Sequence, residues 1–252
     1  MTKAVKVIDK GIFLDLDGVL FDTAKEAYCL CALTLNRARS PKEVNFSSRH
    51  FKIFEKYRFL INCAADYYYL MKNIDEKIDR ITIDVREEFE KLRTVALPEA
   101  CEFEKNFLAK RRYVKDNHYA DWISLNAPYA FLSKVRSLIK KNKDKFFVIT
   151  TKDEETVLKL LEINGVEFLK KNILGRKAFR KFGSKGKIIR FIKDKHKMRR
   201  SIFVDDSKEH LSSCADINGL KLVHAGWGYV ASEDKSFNQT EVIAEIQKML
   251  GG

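Results

Sequence analysis

The sequence predicts an α/β fold, a parallel sheet between helices, with a large all-helical segment inserted after the first strand. Three observations carry this. Short apolar runs stop at an acid or hydroxyl at Gly11–Asp15 (GIFLD), Phe146–Thr150 (FFVIT) and Ser201–Asp205 (SIFVD), as buried parallel strands do where they meet a site. After Pro128, strand and helix patterns alternate, which implies right-handed crossovers. Between them, residues 22–126 show helical periodicity and almost no strand signal.

The elements follow in order. After the first strand, Asp22 to Ala38 has helical composition. Apolar residues three and four apart predict helices over Phe51–Tyr57, Ala64–Met71 and Ile78–Leu92. Pro98 with Glu99 marks a further helix start. Tyr67, Tyr68 and Tyr69 are expected to pack between helices rather than to line a pocket. A helix over Tyr129–Lys141 precedes the strand at Phe146. Asp153 caps a helix that runs to Ile163 and ends at Gly165. A weak strand at Asn172–Gly175 and a helix over Gly186–Lys197 lead to the strand at Ser201. The strand Lys221–His224 and a helix over Thr240–Leu250 complete the chain. The expected domains are thus a catalytic core, 1–21 with 127–252, and a helical lobe, 22–126.

Composition narrows the function classes. The chain has 252 residues, 45% hydrophobic and 33% charged, which excludes a disordered polymer. No apolar stretch reaches the length of a membrane span, so no membrane partner is expected. The start of the chain carries no apolar run of signal-peptide length. Cys29, Cys31, Cys63, Cys101 and Cys214 are odd in number and form no CxxC, so a reducing, cytoplasmic setting is expected. The five histidines show no paired zinc spacing. Gly226-Trp227-Gly228 lacks the third glycine of a dinucleotide fingerprint.

The chemistry gathers at the strand ends: Asp15 with Asp17, Thr150 with Thr151, and Asp205 with Asp206. Ligands of open parallel sheets bind outside the carboxyl ends of the strands. Several carboxylates held together repel unless a cation joins them, and an oxygen-rich set suits Mg²⁺. A phosphate also needs cationic and hydrogen-bonding partners. Thr150 offers a hydroxyl, and Lys185 offers an ammonium beside a helix start, with Lys187 as its competitor.

These residues carry a resemblance. Asp15-Leu16-Asp17-Gly18, continuing to Asp22 and Thr23, resembles motif I of the haloacid dehalogenase (HAD) superfamily. The stretch Phe146–Lys152 resembles its second motif. Ser184-Lys185-Gly186 resembles the third, and Val204-Asp205-Asp206-Ser207 the fourth. The segment Val223–Tyr229 is similar to the one after the last core strand of phosphoglycolate phosphatase-like members. The resemblance implies a Rossmann-like three-layer core, with the helical lobe in the place of a C1-type cap. It covers the core, and the lobe itself resembles nothing specific.

The resemblance further implies Mg²⁺-dependent hydrolysis of a small phosphorylated substrate through an aspartyl-phosphate. Asp15 would be the nucleophile, and Asp17 the general acid and then base. Thr150, Thr151, Lys185 and Gly18 would surround the phosphate. Asp15, the main-chain carbonyl of Asp17 and Asp206 would hold the metal, with Asp205 nearby or ligating through water. Dehalogenating members lack the second aspartate, so Asp17 favours a phosphatase. The alternatives are a phosphomutase of the β-phosphoglucomutase type and a phosphatase of nucleotides or nucleic-acid ends. A nucleic-acid-binding protein is the third.

That last alternative rests on charge. The net charge is +13, from 48 bases and 35 acids. Between Lys170 and Arg200 lie 14 of the bases and a single acid, Asp194, so the rest of the chain is balanced at 34 of each. Spacings of three and four would place Lys187, Arg190, Lys193 and Lys197 on one helix face, with Phe179, Phe182 and Phe191 interleaved. In the lobe, Arg111, Arg112 and Trp122 are expected to form a solvated face and a packed indole rather than substrate contacts.

Overall fold

The computed structural model describes residues 7–79, 85–95 and 98–251. In chain order, β1 (Lys10–Leu14) and the short β2 (Phe21–Asp22) precede six helices: α1 (Ala24–Thr34), α2 (Arg49–Lys56), α3 (Asp66–Lys77), α4 (Arg86–Val95), α5 (Pro98–Asn117) and α6 (Tyr119–Ser124). There follow β3 (Ala127–Pro128), α7 (Ala130–Lys141), β4 (Phe146–Ile149), α8 (Glu154–Ile163), β5 (Ile173–Leu174), α9 (Arg176–Phe182) and α10 (Lys185–His196). The chain closes with β6 (Arg200–Asp205), α11 (Lys208–Ser212), β7 (Leu220–His224) and α12 (Gln239–Gly251). They form two compact units, one running to Asp22 and resuming at Pro128, the other Thr23–Ala127.

The first unit is built on a five-stranded sheet in the order β5-β4-β1-β6-β7, parallel throughout. The central strands are fully apolar because both faces are covered: Ile12, Phe13 and Leu14 of β1 and Ile202, Phe203 and Val204 of β6 are entirely buried. The chain builds outward from β1 through β4 to β5, then reverses through β6 to β7. The reversal lies between β1 and β6, where an open parallel sheet leaves a crevice at its carboxyl edge. Asp15 directly follows β1, and its N–H donates to the Val204 carbonyl of β6 (2.9 Å). Local signals acted as expected around β4. Asp153 accepts from the Thr156 N–H (2.9 Å) and caps α8, and Gly165 takes φ +67 just beyond its end.

The second unit is helical, and its core is aromatic. Tyr67 stacks between Phe54 and Phe107, with ring centroids 5.7 and 5.1 Å away, and Tyr69 meets Phe89 edge-on. Packing thus accounts for these tyrosines. The expected helix over Ile78–Leu92 falls partly on residues 80–84, outside the described residues; α4 begins at Arg86. Arg111 and Trp122 differ from expectation for Arg111 alone. Its guanidinium is buried on Glu26 (3.0 and 3.3 Å), and the indole N–H of the buried Trp122 donates to the same carboxylate (3.3 Å). A solvated face was expected at Arg111 because an arginine on a charged helix carries no sequence mark of a carboxylate 85 residues away. Arg112 is exposed. Among the described residues no helix is long and apolar enough to cross a membrane.

Candidate active site

The site is assembled from loops that leave the carboxyl edge of the first unit's sheet. Lys185, the first residue of α10, is held at the mouth by Ser184, whose hydroxyl caps the helix on the Lys187 N–H (3.2 Å). Its ammonium bridges Asp15 and Asp205, 2.8 Å from a carboxylate oxygen of each. All three side chains are buried. Lys187 is exposed, so of the two lysines it is Lys185 that meets the carboxylates. Lys185 shares a helix face with Ile188, Ile189 and Ile192, and Lys187 lies on the opposite one.

Burial sets the electrostatics. It pushes the Asp15 carboxyl above the usual carboxylate range, and the pull of Lys185 only partly offsets it. Burial acts upward on Asp205 too, but Lys185 and His210 overcome it and hold that carboxyl below its ordinary value. Lys185 is held firmly protonated: burial works against its charge, and the two carboxylates more than compensate. Asp205 also accepts the Ser207 N–H (2.9 Å).

Asp17 stands on a second cation. Lys152 Nζ lies 3.1 Å from Asp17 Oδ1, and the lysine is 2% exposed. Thr150 is buried at the end of β4, where its hydroxyl accepts the Lys152 N–H (3.2 Å). Thr151 is half-buried beside it. Gly18 has φ +79, and a Cβ there would meet Asp206 Oδ2 at 1.9 Å, so only glycine fits this turn. Asp206 accepts the Tyr229 N–H (2.7 Å), and its main-chain carbonyl lies 2.9 Å from His224 Nε2. The Tyr229 hydroxyl in turn donates to Asp22 (2.8 Å).

The donor set fits a divalent cation. Four carboxylates, Asp15, Asp17, Asp205 and Asp206, lie at or just past the ends of β1 and β6, and two ammoniums meet three of them, Lys185 on Asp15 and Asp205 and Lys152 on Asp17. Two negative charges remain, which one divalent ion would neutralise. Among the described residues, Asp15, Asp205 and His210 are the group of three or more whose ligand atoms lie within 4.8 Å of one another. His210 Nδ1 is 3.4 Å from Asp205. The carboxylates of Asp17 and Asp206 are not in that group; one faces Lys152 and the other the Tyr229 amide.

Solved structures share this architecture. A haloacid dehalogenase-like hydrolase from Streptococcus pneumoniae is 15% identical with a TM-score of 0.56, over 95% of this chain and 99% of that one. A predicted phosphatase from Clostridium acetobutylicum is 17% identical with a TM-score of 0.58, over 96% and 100%. A predicted phosphoglycolate phosphatase from Haemophilus somnus is 16% identical with a TM-score of 0.59, over 95% and 97%. The chain has the fold of the haloacid dehalogenase-like hydrolases. Its sequence matches no family model and no curated protein.

Within this HAD-like fold, sequence reading missed two residues of the site. Lys152 ends the FFVITTK stretch, but nothing in the spacing pairs it with Asp17, 135 residues earlier. His210 lies on the short helix α11 and meets Asp205, five residues earlier and outside the helix, so no helical spacing marks the pair.

Proposed function

We propose that the protein is a Mg²⁺-dependent phosphatase of phosphomonoesters, acting through an aspartyl-phosphate on Asp15. The observation that carries this reading is the buried Asp15–Lys185–Asp205 cluster at the sheet's switch point. The solved structures described as predicted phosphatases support it through the shared fold.

In this reading an ionised Asp15 oxygen attacks phosphorus, the ester P–O bond breaks, and the leaving alkoxide takes its proton from Asp17. Water then attacks the acyl phosphate and returns its proton to Asp17, which frees Asp15 and inorganic phosphate. Lys185 and the Thr150 and Thr151 region bind the phosphoryl oxygens, and the Gly18 turn lets backbone approach them. The metal would be held by Asp15, the Asp17 carbonyl and Asp206, with Asp205 beside it. It supplies charge neutralisation between nucleophile and phosphate. In this reading unit 23–127 is the helical cap that the resemblance implies. The substrate is a small phosphorylated metabolite.

Phosphate release from an aryl phosphate tests the reading. Turnover is expected with Mg²⁺ and should vanish with a chelator; equal release in both would remove the metal from the mechanism, and none in either would remove the reaction. Lys152→Met tests the second cation. Release should fall about tenfold to a hundredfold, since the variant leaves Asp17 unpositioned, while Mg²⁺ affinity by calorimetry should not fall, because one cation fewer faces the carboxylates. An unaltered rate would make Lys152 a folding residue only.

A further inference from the structure

We propose that the exposed faces of α9 and α10 form a docking surface for single-stranded nucleic acid. The inference rests on residues outside the carboxylate cluster and does not depend on the reaction assigned to it.

The first observation is the arrangement of charge. The face Lys187, Arg190, Lys193 and Lys197, expected from spacing, does not exist as a solvated row. Lys193 turns inward to the Ser201 hydroxyl (3.0 Å), where burial lowers its pKa. Lys197 has left the helix with φ +56. The exposed row of α10 is instead Lys187, Arg190, Phe191, Asp194 and Lys195, basic but for that one acid. These stand at i, i+3, i+4, i+7 and i+8 and extend over about 12 Å of helix. On the neighbouring α9, Lys177, Arg180 and Lys181 make a second exposed row at i, i+3 and i+4. Arg190 reaches Asp216 (2.8 Å), while Lys177, Arg180, Lys187 and Lys195 have no acidic partner among the described residues. An ordinary solvated face mixes both signs; here Asp194 is the sole acid from Lys170 to Arg200.

The second observation is aromatic. Phe191 is 46% exposed. Its ring lies 5.0 Å from Phe182, the last residue of α9, and Lys181 stands 5.3 Å over the Phe182 ring. The two basic rows are therefore joined by an accessible aromatic step. Base faces stack on such rings while the flanking cations meet the phosphates, the chemistry by which single strands are bound without sequence preference.

A membrane surface fits less well. An interfacial helix buries a broad apolar face in lipid, but the apolar residues of α10, Ile188, Ile189 and Ile192, are already in the core. Phe191 alone is left to insert.

The test is a fluorescence anisotropy titration of labelled oligo(dT) at about 50 and about 200 mM salt, on the full chain. Binding should weaken at least tenfold at the higher salt. The triple variant Lys177→Glu, Lys181→Glu, Lys187→Glu should lower the slope of log affinity against log salt by about 2, from about 0.7 per lost phosphate contact. Phe191→Ala should weaken oligo(dT) binding at least fivefold and leave heparin, which has no bases, unchanged. Asp15→Asn should bind like wild type, which separates this surface from the reaction. No affinity for oligo(dT), an unchanged slope in the triple variant, or equal effects of Phe191→Ala on DNA and heparin would overturn the proposal. Binding to phosphatidylserine vesicles without binding to oligo(dT) would assign the surface to lipid and would also overturn it.

Discussion

Asp15→Asn should abolish phosphate release and leave the fold at least as stable as wild type at pH 7. The amide cannot attack phosphorus, so the loss should exceed about 10⁴-fold if a covalent step on this residue carries the reaction. The stability half follows from burial. Desolvation raises the Asp15 carboxyl above its ordinary value even with Lys185 in contact. A carboxyl whose folded pKa is raised is worth most when protonated, below its unfolded pKa, and that contribution is lost as pH rises through the folded value. At pH 7 the ionised Asp15 is thus a destabilising group in the metal-free chain. Asparagine removes that charge, while Asp205 keeps Lys185 paired (2.8 Å). Urea unfolding in chelator should show an unchanged or higher midpoint for the variant, and phosphate assays should show no turnover. A clearly lower midpoint would mean that Asp15 serves the fold, and surviving turnover would mean that it is not the nucleophile.

Much of this site was legible because a buried parallel strand and its functional end leave a joint mark. Ile12 to Leu14, Phe146 to Ile149 and Ile202 to Val204 are apolar without alternation, and each run stops at Asp15, Thr150 or Asp205. Caps were equally local: Asp153 and Gly165 acted as their residue types dictate. What was lost is pairing across the chain. Asp17 with Lys152, and Glu26 with Arg111 and Trp122, are contacts set by the fold and not by spacing. The helix α9 was not anticipated because its seven residues offer only Ala178, Phe179 and Phe182 to the core, too short an apolar stripe to read. The short α11 left no periodicity to read.

The basic block shows how a small error in phase changes the chemistry inferred. Steps of three residues lag an α-helix by about 60° each. Two such steps carry Lys193 about 120° away from Lys187, into the core, where it meets Ser201. By the same period Lys185 and Lys193, eight apart, share the buried face, and only one of them reaches carboxylates. Helical phase, applied from Ile188, Ile189 and Ile192, separates Lys185 from Lys187 in the sequence itself.

Lys185→Met should have the opposite signature to Asp15→Asn, losing both activity and stability. Asp15 and Asp205 are buried, and the ammonium 2.8 Å from each is what lets them stay ionised there. Methionine keeps the length and the apolar stem but leaves two carboxylates facing each other out of water. Removing one partner of a buried ion pair costs roughly 3–5 kcal/mol, so the urea midpoint in chelator should fall accordingly at pH 7. Lowering the pH should recover part of the loss, because protonating Asp15 removes one of the facing charges. A divalent cation should also help the variant more than wild type, since three net negative charges rather than two would then surround it. Thermal unfolding with and without MgCl₂ therefore carries the decision. A larger Mg²⁺-dependent gain in the melting temperature of the variant supports a cation site on these carboxylates. An equal gain in both proteins would place any bound Mg²⁺ elsewhere.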